Sequence, residues 1–376
     1  MTDLLRVLDL TDDAVGYATR LLADLGAEIV RIDVPGRGVG AGVAGRRIAL
    51  DVRRREGLDV LTRLCATADA VLDGIEPAFE RAEDAHARCL TVNPRLVWVA
   101  VRPFAPPAGA GRTSAEIVRY AQSGLMSITG MPGQTPCLIG GGLGDAVTAA
   151  YAAFACLLGC RHAREAGAGR VIHVSAHEAL ATFMQQGLYE AAFSGRVVRR
   201  GGNRHAHIAA SGALACRDGY VVVSANERRM WQQLVELVGD DRLRDAALND
   251  ERIRMERQAE IFEVLQTWAA QFTKAELSEI AQSRGIPIAP VHNVDDLLED
   301  PHLRARRFFH RVGGQDVPVL TTPWLARRAD AALHGADTAE VLREAGFAPE
   351  EIARLEATGV VPARPGSMAR DGAPVS

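Results

Sequence analysis

Apolar positions in the first hundred residues change period several times, and each change marks a switch between strand and helix. "LLRVLDL" is a short, nearly continuous apolar run, "YATRLLADLG" has helical spacing closed by Gly26, and "AEIVRIDVP" alternates until Pro35. The pattern recurs: "RRIALDV" predicts a strand, "REGLDVLTRLCATA" a helix, "DAVLDGI" a strand and "PRLVWVAVRPF" a buried strand. Strands separated by helices predict a parallel α/β sheet with helices on both faces. From Ser114 the pattern is mainly helical, with "SAEIVRYAQSGLMSITG" and then Asp145 to Ala163, before the strand "RVIHVS" and a long helix from Ala176 to Phe193.

The composition shifts near 196–212, where "GRVVRRGGNRHAHIAASG" is basic, glycine-rich and irregular. Beyond it, "GALACRDGYVVVSAN" predicts a hairpin over Asp218-Gly219. Helices from about 227 to 284, the strand "IPIAPV" and a β-like stretch to about 322 make a smaller α+β domain. Helices near 337–346 and 349–357 are expected to pack back on the first domain. The organisation expected is therefore a large domain over 1–195, a linker and small domain over 196–325, a return to the large domain over 326–360, and a disordered tail over 361–376.

Composition narrows the chemistry. With 376 residues, 48% of them hydrophobic, the chain has core enough for two or three domains. No apolar run is expected to span a membrane, because Gly, Arg or His breaks the longest ones, and "MTDLLRVLDL" lacks the basic start of a signal peptide. The six cysteines form no CxxC pair, no metal-ligand spacing occurs, and a cytoplasmic location with reduced thiols is expected. A net charge of −4 argues against a dedicated nucleic-acid binder. Lys274 is the single lysine, which excludes a P-loop lysine and argues against Schiff-base chemistry. The G-x-G-x-x-G spacing at 40–45 lies between a Pro-Gly loop and a strand, the wrong context for a dinucleotide fingerprint. His173 sits in a strand and His177 starts a helix, and both read as structural.

One stretch leaves its chemistry open. "GGLGDAVTAAYAAFACLLG", Gly141 to Gly159, sets Asp145 between glycines and a long apolar helix. By local pattern Asp145 reads as a carboxylate satisfying free N–H groups at a helix start. A catalytic carboxylate there is the other reading, and the two roles are compatible.

The blocks "YATRLLADLGAEIVRID", "RRIALDV", "NPRLVWV", "SGLMSITG", "LGDAVTAAYAAFACLLG", "GAGRVIHVS", "RDGYVVVSANERRMW" and "GIPIAPVHNVDDLLEDPHLRARRFF" come in a telling order and spacing. In these the chain resembles the class III coenzyme A transferases, the family of formyl-CoA and carnitine CoA-transferases and α-methylacyl-CoA racemase, from about residue 5 to 360. The resemblance implies a Rossmann-like large domain with a parallel sheet, a smaller α+β domain and an obligate homodimer of interlocked chains. It implies that Asp145 attacks an acyl-CoA thioester and then carries CoA as an aspartyl thioester, with Glu116 assisting. It implies CoA binding by Arg46 of "GVAGRRIALD" and Arg81 of "DGIEPAFER", although the family's flanking Asn, Lys and Phe are missing from these stretches. It also implies an active-site flap at Gly201, Gly202, His205 and His207. The substrates implied are an acyl-CoA and an organic acid, with no permanently bound cofactor, no metal and no membrane or nucleic-acid partner. Racemases of the family use a histidine about thirty residues before the aspartate; here Ala115 occupies that place and no histidine lies between His86 and His162. CoA transfer is therefore the expectation. A 2-methylacyl-CoA racemase, or a CoA-binding protein or subunit without its own turnover, are the alternatives.

Overall fold

β1 (Arg6–Leu10) is buried along nearly its whole length because both of its faces are covered, which explains a continuous apolar run rather than an alternating one. In the computed structural model, residues 5–36, 45–74, 82–107, 112, 114–205, 207–311, 318–320 and 335–361 are described. After β1 come α1 (Gly16–Asp24), β2 (Glu28–Asp33), β3 (Arg46–Ala49), α2 (Arg55–Cys65), β4 (Ala70–Asp73), α3 (Ala82–Val92) and β5 (Val97–Arg102). Then follow α4 (Glu116–Gln122), α5 (Leu125–Ile128), α6 (Leu143–Ala166), β6 (Arg170–Ser175), α7 (Ala176–Ala181) and α8 (Gln185–Ser194). Six strands form one parallel sheet in the order β3-β2-β1-β4-β5-β6.

The chain divides into two compact units: Met1–Leu125, Leu138–Ser194 and Ala305–Ser376 in the first, Met126–Cys137 and Gly195–Arg304 in the second. Alternate strand residues of the first unit feed two cores. Val7, Ile29, Leu72 and Val99 face α1 and α6, whereas Leu8, Val30, Ile32 and Ile48 face α2 and α3. The second of these cores is closed by α9 (Thr338–Glu344) and α10 (Pro349–Ala357), through Val341, Leu342 and Leu355. Backbone bonds from Asp337 N–H to Arg47 O and from Asp51 N–H to Val360 O, both 3.0 Å, hold this return segment.

On the α1 face a row of charge crosses three strands: Asp9 pairs in register with Arg31, and Arg31 with Arg47. The fully buried Asp9 accepts from Thr11 N–H at 2.8 Å, the Thr19 hydroxyl at 2.8 Å and Arg31 at 3.2 Å. Asp33 takes both arms of Arg47, at 2.8 and 3.1 Å. Charges this deeply buried persist because each has a partner.

The second unit has its own three-stranded antiparallel sheet, β7 (Ser211–Cys216), β8 (Gly219–Ser224) and β9 (Ile288–Pro290). Trp231, Phe262, Leu265 and Trp268 pack against it.

Several expectations need correction. The hairpin turn is Arg217-Asp218, one residue earlier than expected, because Cys216 pairs with Gly219. Asp218 is then free to accept the N–H of Lys274 at 2.7 Å. The helix expected from Ser114 breaks at Gly124, whose φ is 90°, and that expected from Ala176 to Phe193 is interrupted by a 3₁₀ turn at Thr182–Met184. By length and composition α6 would also pass for a membrane span, which the broken-run reading missed. Its inner face, Ala149, Ala152, Cys156 and Cys160, packs in the sheet core. The G-x-G-x-x-G stretch, apart from Gly45, and the tail, apart from Val361, lie outside the described residues.

Candidate active site

Strand order reverses between β1 and β4, and open α/β sheets leave a crevice beyond the carboxyl ends of the strands at that point. Leu10 and Asp73, the last residues of these strands, are in register. Just beyond them the two segments meet closely: a Cβ on Gly74 would lie 2.6 Å from the Asp12 nitrogen.

The crossover from β5 to β6 brings α4 and the start of α6 to the same edge. Gly141 and Gly142 take left-handed conformations, φ 80° and 64°, which turn the chain into α6. Asp145 is the third residue of that helix, within reach of its positive end. Gly144 allows α4 to pack close: a Cβ there would meet Tyr120 Cε2 at 2.9 Å and Glu116 Oε1 at 3.0 Å. Glu116 Oε1 instead accepts the Gly144 N–H at 3.0 Å, satisfying a first-turn donor from a neighbouring element.

Asp145 is half-buried, its side chain 27% exposed, and its Oδ1 is ion-paired with the Arg119 guanidinium. Arg119 is itself 4% exposed at the side chain and also donates to the Ser114 carbonyl at 3.1 Å. Burial pushes the Asp145 carboxyl above its ordinary range; Arg119 opposes this, and the charges of Glu116 and Asp12 add to it. Burial, with the charges of Glu116 and Asp145, raises the Tyr120 phenol. The result is a carboxylate partly stripped of water, oriented by a cation and flanked by helix N–H groups. That combination suits nucleophilic attack on a carbonyl.

The comparisons identify the kind of enzyme. The model described as CoA-transferase family III matches residues 3–337 of the 376. The chain belongs to this family. A succinyl-CoA–D-citramalate CoA-transferase of Chloroflexus aurantiacus is 26% identical over 401 residues, covering 96% of this chain and 98% of that protein. A formyl-CoA:oxalate CoA-transferase of Streptomyces coelicolor is 25% identical over 405 residues, covering 95% and 98%. A crystal structure of a CAIB/BAIF family protein from Brucella suis shares the fold, with a TM-score of 0.76 at 23% identity over 91% of this chain and 98% of that one.

In this CoA-transferase, the structure brings Asp145 and Glu116 together and adds Arg119, Tyr120 and Asp12, which sequence reasoning missed. One signal was available: Glu116 and Arg119 stand three apart on one short helix and so share a face. Arg46 is elsewhere, its guanidinium clamped between Glu28 and Glu344. Arg81 lies outside the described residues.

Gly201, Gly202, His205 and His207 belong to the second unit. There the Gly202 N–H donates to Gly130 O at 3.1 Å, the His205 N–H to Ser211 O at 2.8 Å, and the His207 N–H to His205 Nδ1 at 3.1 Å. His177 packs on Phe104 at 5.4 Å, with its Nε2 3.2 Å from the Gln122 carbonyl oxygen. Among the described residues no group of three or more His, Cys, Asp or Glu side chains is placed to hold a metal ion.

Proposed function

We propose that this protein transfers coenzyme A from an acyl-CoA to the carboxylate of a small organic acid, with Asp145 as covalent carrier. One observation carries the reading: a half-buried carboxylate at the third position of α6, held by a buried guanidinium at the switch-point edge of the sheet. An Asp145 oxygen attacks the thioester carbonyl, the C–S bond breaks, and the thiolate leaves with the electron pair. The thiolate then attacks the Asp145 carbonyl of the mixed anhydride, forming a thioester on Asp145 and releasing the acid as its carboxylate. An acceptor carboxylate completes the cycle by the reverse steps. The N–H groups at the start of α6 other than those of Gly144 and Ala146, which Glu116 and the Gly142 carbonyl take, suit the oxyanion formed at each addition. Glu116 holds the Gly144 N–H and thereby the turn on which Asp145 stands.

CoA transfer is favoured over proton transfer at the α-carbon because Ala115, at the place of the racemase histidine, precedes α4 and carries no base. The working form is a homodimer. Tyr151, Phe154 and Leu158 make an exposed stripe along α6, and Leu188, Tyr189 and Phe193 are exposed on α8, an apolar surface suited to a second copy.

The test is mass spectrometry of the protein after incubation with a panel of acyl-CoAs, beside Asp145→Ala. The expected result is a CoA adduct on the Asp145 peptide that the variant lacks. CoA binding without an adduct from any donor would overturn the covalent reading.

A further inference from the structure

The reaction moves a negative charge, and the structure bears on where that charge goes. In the resting protein the Asp145 carboxylate neutralises Arg119. Once Asp145 is a thioester it is neutral, and the charge it held has passed to the released acid. Arg119 cannot follow by losing a proton, since a guanidinium stays charged in any protein environment. Nor can it turn to water, because its side chain is 4% exposed and its Nε is buried without a hydrogen-bond partner among the described residues. A buried cation left unpaired is strongly unfavourable. The other charged groups acting on Asp145, Glu116 and Asp12, are both carboxylates.

We propose that Arg119 is the carboxylate-binding residue of the transfer reaction, exchanging the Asp145 carboxylate for that of the substrate acid whenever Asp145 carries CoA. This rests on the covalent reading above. The released acid keeps the Asp145 oxygen that attacked, and both oxygens of that carboxylate lie within one carboxyl group of the Arg119 guanidinium, so the new carboxylate arises beside it. A planar fork of N–H donors matches a carboxylate in charge and shape, where a lysine would offer a point charge. No atom is added or lost: Asp145 carboxylate plus acyl thioester becomes Asp145 thioester plus acid carboxylate, and Arg119 changes partner.

The experiment follows isotope exchange. The probes are the acyl-CoA that labels Asp145 and its own acid carrying ¹³C, with incorporation of label into acyl-CoA measured for the wild type, Arg119→Gln and Arg119→Lys. Charged hydrogen bonds are worth about one to two powers of ten. Arg119→Gln should therefore raise KM for the acid by about tenfold or more while KM for the acyl-CoA moves far less, and Arg119→Lys should recover part of the loss. Equal KM values for the acid in all three proteins would overturn the proposal.

A second measurement does not depend on turnover or on Arg119→Gln folding alone. Asp145→Ala leaves the guanidinium unpaired, so by calorimetry it should bind succinate or acetate about tenfold more tightly than the wild type. Combining it with Arg119→Gln should remove the gain. Weaker or unchanged binding by Asp145→Ala would overturn the proposal. Failure of the wild type to form any Asp145 adduct would instead sink the covalent reading, and the partner exchange with it.

Discussion

Glu116 accepts the N–H of Gly144 at 3.0 Å, so a carboxylate on α4 completes the first turn of the helix that carries Asp145. The two carboxylates are thereby coupled in position and in charge, since Glu116 also raises the Asp145 carboxyl.

This coupling predicts a signed pH response. In the proposed reaction thioester formation uses ionised Asp145, so its acid limb should lie above the ordinary aspartate value of 3.8. Glu116→Gln removes a charge that raises Asp145 and should move the limb to lower pH. Arg119→Gln removes one that lowers it and should move the limb to higher pH. Rates of adduct formation over about pH 4 to 8 check both, and shifts in the same direction would refute the electrostatic account.

Stability should respond to the same group. A carboxyl raised by folding contributes stability at low pH that is lost as pH rises through its folded value. Asp145→Asn removes that loss, so its Tm relative to wild type should climb between acid and neutral pH. A constant difference across that range would show that Asp145 titrates alike in the folded and unfolded chain.

Gly144→Ala places a methyl group 2.9 Å from the Tyr120 ring and 3.0 Å from Glu116. Overpacking of this kind costs about 1–3 kcal/mol, and α4 should shift away from α6. Denaturant unfolding should show the loss, and adduct formation should slow by about a hundredfold if the carboxylate is misplaced by an ångström. Wild-type stability together with wild-type rate would mean that the contact yields freely.

His86 is buried against Trp98, ring centroids 4.6 Å apart, and its Nε2 has no partner among the described residues. Burial, helped by Arg102 and His173, lowers it from 6.5 to about 4. The unfolded chain then binds the proton more readily, so stability is full above pH 6.5 and falls as pH drops toward 4, by about 3 kcal/mol. His86→Leu should lack this part of the acid sensitivity. Parallel stability–pH curves for the two proteins would rule it out.

Phe154 is 60% exposed in the middle of the α6 stripe. In the proposed homodimer, Phe154→Glu should shift light-scattering mass toward the monomer without lowering the helix content of the chain. An unchanged mass would locate the contact between copies elsewhere.

Much of the fold is legible in the residues because local rules act over short spans. Short apolar runs, nearly continuous in β1 and alternating in β2, predict the strands of the parallel sheet, and Pro349 with the two glutamates after it marks the start of α10. Periodicity does not tell the buried side of α6 from the exposed one, because a small-residue inner face and an aromatic outer face look alike in hydropathy. The hairpin turn slipped by one residue because Asp218-Gly219 is a good turn dipeptide, while strand pairing and the start of the helix at Lys274 decide the register.

The site divides along the same line. By itself the chain determines that Asp145 stands at a helix start behind a glycine turn, because glycine conformation and helix ends depend on neighbours in sequence. Tertiary structure decides that Arg119, twenty-six residues earlier, faces that carboxylate, and that Glu116 and Asp12 charge the space around it. Pairing of buried charges depends on which surfaces meet after the sheet has formed, and a linear pattern carries no record of that distance.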